Sequence, residues 1–104
     1  MESKEIGVFV LVSGIEIIAE YTADKEFYLL KQPRRIIGQP AGPNKISIGL
    51  VPWVMSNPDG IFPVHSGHVV TVTAKIEDNI LTNYFSQTTG IDMSAASSGN
   101  LVGV

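Results

Sequence analysis

The stretch VFVLVSGIEIIAEY, Val8 to Tyr21, decides the fold, because it reads as two strands meeting at Ser13-Gly14. In its second half Ile15, Ile17, Ala19 and Tyr21 share one face, and Glu16 and Glu20 share the other with Ile18 between them. Alternation with a period of two marks a strand with one face buried and the other mostly wet. The first half, VFVLV, is apolar without interruption, so both of its faces are expected to meet apolar partners. Gly14 can take the positive φ of a tight turn without a Cβ clash.

On the near side of this hairpin, Met1 to Glu5 read as a frayed polar start, with strand one spanning about Gly7 to Ser13 and strand two about Ile15 to Thr22. On the far side, Ala23-Asp24-Lys25-Glu26 is a short polar turn that leads into a third strand, about Phe27 to Lys31. Pro33 has no ladder donor and is expected to break or bend that strand, with pairing resuming weakly at Ile36 and Ile37. Two prolines and two glycines make Gly38 to Asn44 a loop. Lys45 to Met55 reads as a fourth strand bent at Gly49 and Pro52, as closing a small barrel requires. SNPDG, Ser56 to Gly60, is a strong turn signal, Ile61 to Val64 a short extension, and His65 to His68 a second turn. In the last strand, Val69 to Ile76, Val70, Val72, Ala74 and Ile76 face one way and Thr71, Thr73 and Lys75 the other.

Beyond Ile76 the period changes. Ile80, Leu81, Tyr84 and Phe85 form a helical stripe over about 78–89, with Asp78 as N-cap and Gly90 as stop. The tail, about 91–104, is small and polar, and reads as disordered or lightly docked. The expectation is mainly β: five strands over about 7–76 making a strongly bent small barrel, then a C-terminal helix, all within a single domain of 104 residues.

Composition limits what such a domain does. Its 44% hydrophobic content and mean hydropathy of +0.22 exceed what a small core needs, and a subunit interface is one destination for the excess. No apolar run reaches the roughly 20 residues that span a bilayer, and the charged MESKEIG start lacks a leader's apolar core, so a cytoplasmic location is expected. The chain has no cysteine, which excludes disulfides, thiolate metal sites and a cysteine nucleophile. A net charge of −3 argues against broad electrostatic capture of nucleic acid. Lys31, Arg34, Arg35 and Lys45 nevertheless fall in one central stretch, either as a local basic patch or as solvated charges that keep a loop soluble.

One set of motifs points to a family. Val10, Leu11 and Val12 ahead of Gly14, followed by Asp24, Phe27 and Leu29, resemble the first motif of Sm and Sm-like proteins, and VHSGHVV resembles the second. Over nearly its whole length the chain also looks like a group of small proteins from marine phages, cyanophages among them. It departs from the family pattern at Tyr28, where asparagine is usual, and at Ser66, where a basic residue is usual before Gly67. The family's N-terminal helix is missing, and a C-terminal helix stands in its place.

The resemblance implies a homo-oligomeric ring joined edge strand to edge strand, with five subunits favoured over six or seven. It also implies single-stranded RNA or DNA near a central pore, held by the loop between strands two and three and the loop before strand five. By position those loops carry Lys25 and Tyr28, then His65, Ser66 and His68. Tyr28 would stack on a base, Lys25 would meet a phosphate or base edge, and the histidines would stack or donate. Taken singly, each residue reads first as core, interface or turn decoration, and only as a set do the two readings come close to even. Lys31, Arg34 and Arg35 are candidates for a second phosphate contact on the outer face.

His65 and His68 with Asp59 would offer three ligands to zinc or copper, although the absence of cysteine weighs against a metal. No enzyme motif is present, and no cofactor is expected. Two function classes therefore remain open. One is a ring that binds single-stranded nucleic acid in phage RNA or DNA processing, and the other is a structural or protein-interaction ring of a phage.

Overall fold

The computed structural model describes residues 5 to 89. The strands are β1 (Ile6–Leu11), β2 (Glu16–Asp24), β3 (Phe27–Gly42), β4 (Lys45–Pro52), β5 (Ile61–His65) and β6 (Val69–Thr73), followed by one helix, α1 (Asp78–Thr88). All six lie in one antiparallel sheet in the order β4-β3-β2-β1-β6, with β5 also on β3. The molecule is thus mainly β, as expected, but the sheet is open and has six strands rather than five.

The extra strand arises where the sequence suggests one bent strand and its extension. β5 pairs with β3 from Phe27 to Lys31, and β4 pairs with the same strand from Arg34 to Gly42. The turn-rich segment from Trp53 to Gly60 separates them. β3 itself does not end at Pro33. It crosses that position on a distorted Gln32, whose φ is 52°, and runs on to Gly42. The expected loop at Gly38–Asn44 is therefore mostly strand, with the reversal confined to Pro43 and Asn44. Proline is tolerated there because β2 leaves β3 at Arg35, and beyond it β3 has a single neighbour.

The hairpin that opens the chain behaves as its pattern requires. Ile17 and Ala19 join Phe9, Leu11, Leu30 and Val64 in the core on the inner face of the sheet, with Ile15, Tyr21 and Tyr28 packed against it. Val8 and Ile18 point through to the other face, where Tyr84, Ile80 and Leu81 of α1 cover them together with Leu50. Within VFVLV, Val8, Phe9 and Leu11 thus meet apolar partners on the two sides, while Val12 is exposed in the turn.

Three boundaries move. β1 stops at Leu11 because the turn begins at Val12, and β6 stops at Thr73. The pairing of β6 with β1 shifts between Val10 and Leu11, which leaves Val70 as a bulged residue, 65% exposed instead of facing the core. Val69 packs inward in its place, and Val72 keeps the inward face expected of it. The N-cap of α1 is Glu77 rather than Asp78, and its side chain makes no cap hydrogen bond. Met1 to Lys4, the stop at Gly90 and the tail at about 91–104 lie outside the described residues.

Candidate nucleic-acid interface

Two turns meet at one end of the sheet. The β2–β3 turn is built on Lys25, which takes a φ of 57°, and its Glu26 carbonyl accepts a hydrogen bond from Ser66 N at 2.8 Å. Phe27 is in register with His65, and their rings meet edge to face at 5.3 Å. The 3-10 turn Ser66–His68 then leads into β6. Lys25, His65, Ser66 and His68 therefore lie on two adjoining turns.

Hydrogen bonds define the state of His65. Its Nδ1 accepts from Gly67 N at 2.9 Å, so the proton of the ring sits on Nε2, which lies 3.2 Å from Glu26 Oε1. The ring of His68 stands 6.2 Å away, edge-on. Both nitrogens of His65 are engaged within the protein, which leaves neither free for a metal. Among the described residues no group of three or more histidine and carboxylate side chains could hold a metal ion. The His65, His68 and Asp59 ligand set is not assembled. Asp59 instead pairs with Arg34.

A groove of about 510 Å³ runs beside this cluster. Phe27, His65, His68, Val12, Trp53 and Pro63 are among the residues that line it. In the sequence Phe27 marks only the start of the third strand, and Trp53 only a position within the fourth. Trp53 does pack against the inner core, and it also forms part of the groove wall. The signal for Phe27 is its place as the first strand residue after a charged turn, where a side chain faces solvent more readily than the core.

The other expected site residues lie elsewhere. Tyr28 is half-buried, with its ring 5.1 Å from Phe9 and 6.1 Å from Tyr21. It serves the inner core, so the exposed aromatic of this loop is Phe27. Arg34 is 4% exposed, and its guanidinium is used entirely inside the protein. It donates to Gln87 Oε1 at 2.9 Å, Pro58 O at 2.7 Å and Asp59 Oδ1 at 2.8 Å. Its place is the joint where β3 exchanges β5 for β4, and there it ties the Trp53–Gly60 segment and α1 to the sheet. A phosphate contact by Arg34 is therefore corrected to a structural role. Lys31 borders α1, lining a cavity of about 380 Å³ with Glu20, Gln32, Tyr84 and Thr88. Arg35 is exposed on β3 between β2 and β4. These three cations do not make one patch with the loop cluster.

Tyr84 completes the junction of helix and sheet. Its hydroxyl accepts from Glu20 N at 3.0 Å and donates to Lys31 O at 3.1 Å. Burial, outweighing the Glu20 amide bond that pulls the other way, raises its pKa above the usual phenol value. Tyr21 shifts in the same direction, first through burial and then through the Glu5 carboxylate.

No protein-family model matches the chain, and no curated protein matches it. No helix among the described residues is long and apolar enough to cross a membrane. Fold and site together define a small, open, bent antiparallel sheet with one helix on its outer face and an aromatic-rich groove at one end.

Proposed function

We propose that the protein is a ring-forming, Sm-like module that binds single-stranded nucleic acid, RNA in the first place, in phage RNA or DNA processing. The observation that carries this reading is the meeting of the β2–β3 turn with the His65–His68 turn, which sets Lys25, Phe27, His65 and His68 at one end of the sheet. A strand of nucleic acid is held by an aromatic face beside a cation and hydrogen-bond donors, the roles open to Phe27, Lys25 and His68 here. Phe27 takes the stacking role that the resemblance gives to Tyr28. Assembly is supported by the two edges of the sheet that have no partner among the described residues, β6 on one side and β4 with β5 on the other. Antiparallel pairing of the β5 edge with β6 of a neighbouring copy hides both edges, and a head-to-tail contact of that kind closes into a ring of five or more subunits.

Fluorescence anisotropy with short U-rich, A-rich and mixed single strands, at two salt concentrations, tests the reading. Binding that weakens with salt and loses about 1–3 kcal/mol in Phe27→Ala supports it. Absence of binding at tens of micromolar strand by an assembled ring removes it. In that event the second reading holds, a structural or protein-interaction ring. One observation already favours that alternative: Lys25 is flanked by Asp24 and Glu26, so the turn carries more negative than positive charge.

A further inference from the structure

The two faces of the β3–β4 arm differ in chemistry, and the inner one leads out of the groove. Arg35 is in register with Ile17 of the inner core, so Pro33, Ile37 and Gln39 share the inner face with it. Across the ribbon Val51 stands opposite Arg35, Gly49 opposite Ile37 and Ser47 opposite Gln39, and Lys45 comes next on the same face of β4. Trp53 N donates to Pro33 O at 3.3 Å, which extends this pairing by one row and places Trp53 on the inner face too. Trp53 is therefore both a wall of the groove and the head of the arm's inner face.

Cations are sorted to that face. Arg35, Gln39, Ser47 and Lys45 are exposed, and among the described residues neither cation is in an ion pair. Arg34, on the outer face, is buried and already paired with Asp59. From Phe27 to Pro58 the chain has no carboxylate, although its net charge is −3. The neighbouring β2 turns Ile17, Ala19 and Tyr21 to the inner face, with Glu16 and Glu20 on the other. Midway along, Gly49 keeps the surface low, where an added Cβ would meet only the Ile37 side chain, at 3.6 Å.

We infer that this face carries the strand onward from the groove. A single-stranded nucleic acid whose bases enter at Phe27 and Trp53 runs out along the arm, with phosphates at Arg35 and Lys45. Gln39 and Ser47 lie between the two cations and offer an amide and a hydroxyl to base edges. Lys45 is eight positions before Trp53, roughly 26 Å at the rise of a strand, which is room for several nucleotides. The inference rests on the nucleic-acid reading of the groove and names the path that the strand takes beyond it. Two unpaired cations on an exposed ribbon favour a polyanion. Stacking aromatics at the head of the track favour a strand with bases over an acidic peptide.

Because the chain has no cysteine, a thiol placed on either face of the ribbon reports on that face alone. Ser47→Cys and Ile48→Cys, adjacent in β4 and both exposed, test the inner and the outer face in turn. Thiol labelling is followed with and without a saturating U-rich strand of about 12 nucleotides, at one protein concentration so that assembly is the same. The inference expects the strand to slow labelling of Ser47→Cys about fivefold or more and to leave Ile48→Cys unchanged. It also expects the double variant Arg35→Gln, Lys45→Gln to flatten the slope of log affinity against log salt by about 1.4, roughly 0.7 for each phosphate contact. Lys75→Gln, which removes an exposed cation beyond the end of β6, is expected to leave that slope unchanged.

A strand that binds through Phe27 yet leaves Ser47→Cys as reactive as before overturns the track and spares the groove. Equal protection of the two thiols, or an equal loss of slope in Lys75→Gln, also overturns it, because the strand then does not select this face. Protection by a polyglutamate peptide and not by the strand assigns the face to an acidic protein partner and overturns the inference. A wild-type protein that binds no strand at tens of micromolar removes the track together with the reading on which it rests.

Discussion

Arg34 and Tyr84 show how two polar side chains hold an apolar interface in place. Arg34 arrives in the interior charged, and its desolvation is offset by Asp59, Gln87 and the Pro58 carbonyl, all within hydrogen-bond distance. Arg34→Ala is expected to cost about 3 kcal/mol, the lower end for breaking a buried pair, because Asp59 remains exposed and can hydrate. Urea denaturation measures this, and an unchanged midpoint would show that the network contributes nothing. Tyr84→Phe strands the Glu20 amide and the Lys31 carbonyl, at about 1–3 kcal/mol. The raised pKa adds a pH signature. A phenol whose pKa is higher in the folded than in the unfolded chain adds stability that is complete below about pH 10 and is lost as pH climbs through the folded value. Wild-type stability is therefore expected to fall above about pH 10, and Tyr84→Phe to show a shallower alkaline fall in a melting series.

Among the elements, the β3–β4 arm and α1 contrast most. α1 covers Val8, Ile18 and Leu50, and without it a whole face of the sheet is open to water. The arm beyond Ile37 and Gly49 contributes to neither core. Replacing Gly38–Ile48 by an Asn-Gly turn is accordingly expected to leave the melting temperature of the dissociated subunit within a few degrees of wild type, roughly the shift of under 1 kcal/mol. A large drop would mean that the arm supports the fold. The arm was also the least legible element. GQPAGPN has the composition of a loop, and a two-stranded ribbon that no described residue covers imposes no apolar alternation on that stretch to contradict it. α1 was legible because a stripe at Ile80, Leu81 and Tyr84 must be buried against something. The Val70 bulge was not, since a shift in pairing with β1 changes the facing of Val69 and Val70 alone and leaves no mark in the sequence of β6.

At the scale of the molecule, the two free edges and the exposed apolar residues belong to one question. Ile61 on β5 and Val70 on β6 are large, apolar and exposed, and each lies on an edge strand. Ile61→Lys and Val70→Lys place a charge on each edge, and under the proposed ring either is expected to reduce the sedimenting mass to that of the subunit. A mass unchanged by both variants would put the contact elsewhere. VFVLVSGIEIIAEY by itself determined that the chain opens with a hairpin, which of its residues face which side, and that its first strand is covered on both, because burial of alternate residues is a local demand. Only the tertiary structure decided that β3 runs unbroken to Gly42, that β4 and β5 divide its far edge, and that Arg34 is internal while Phe27 is free. Those outcomes depend on which strand lies beside which, and pairing between residues distant in the chain is not written in the period of either partner.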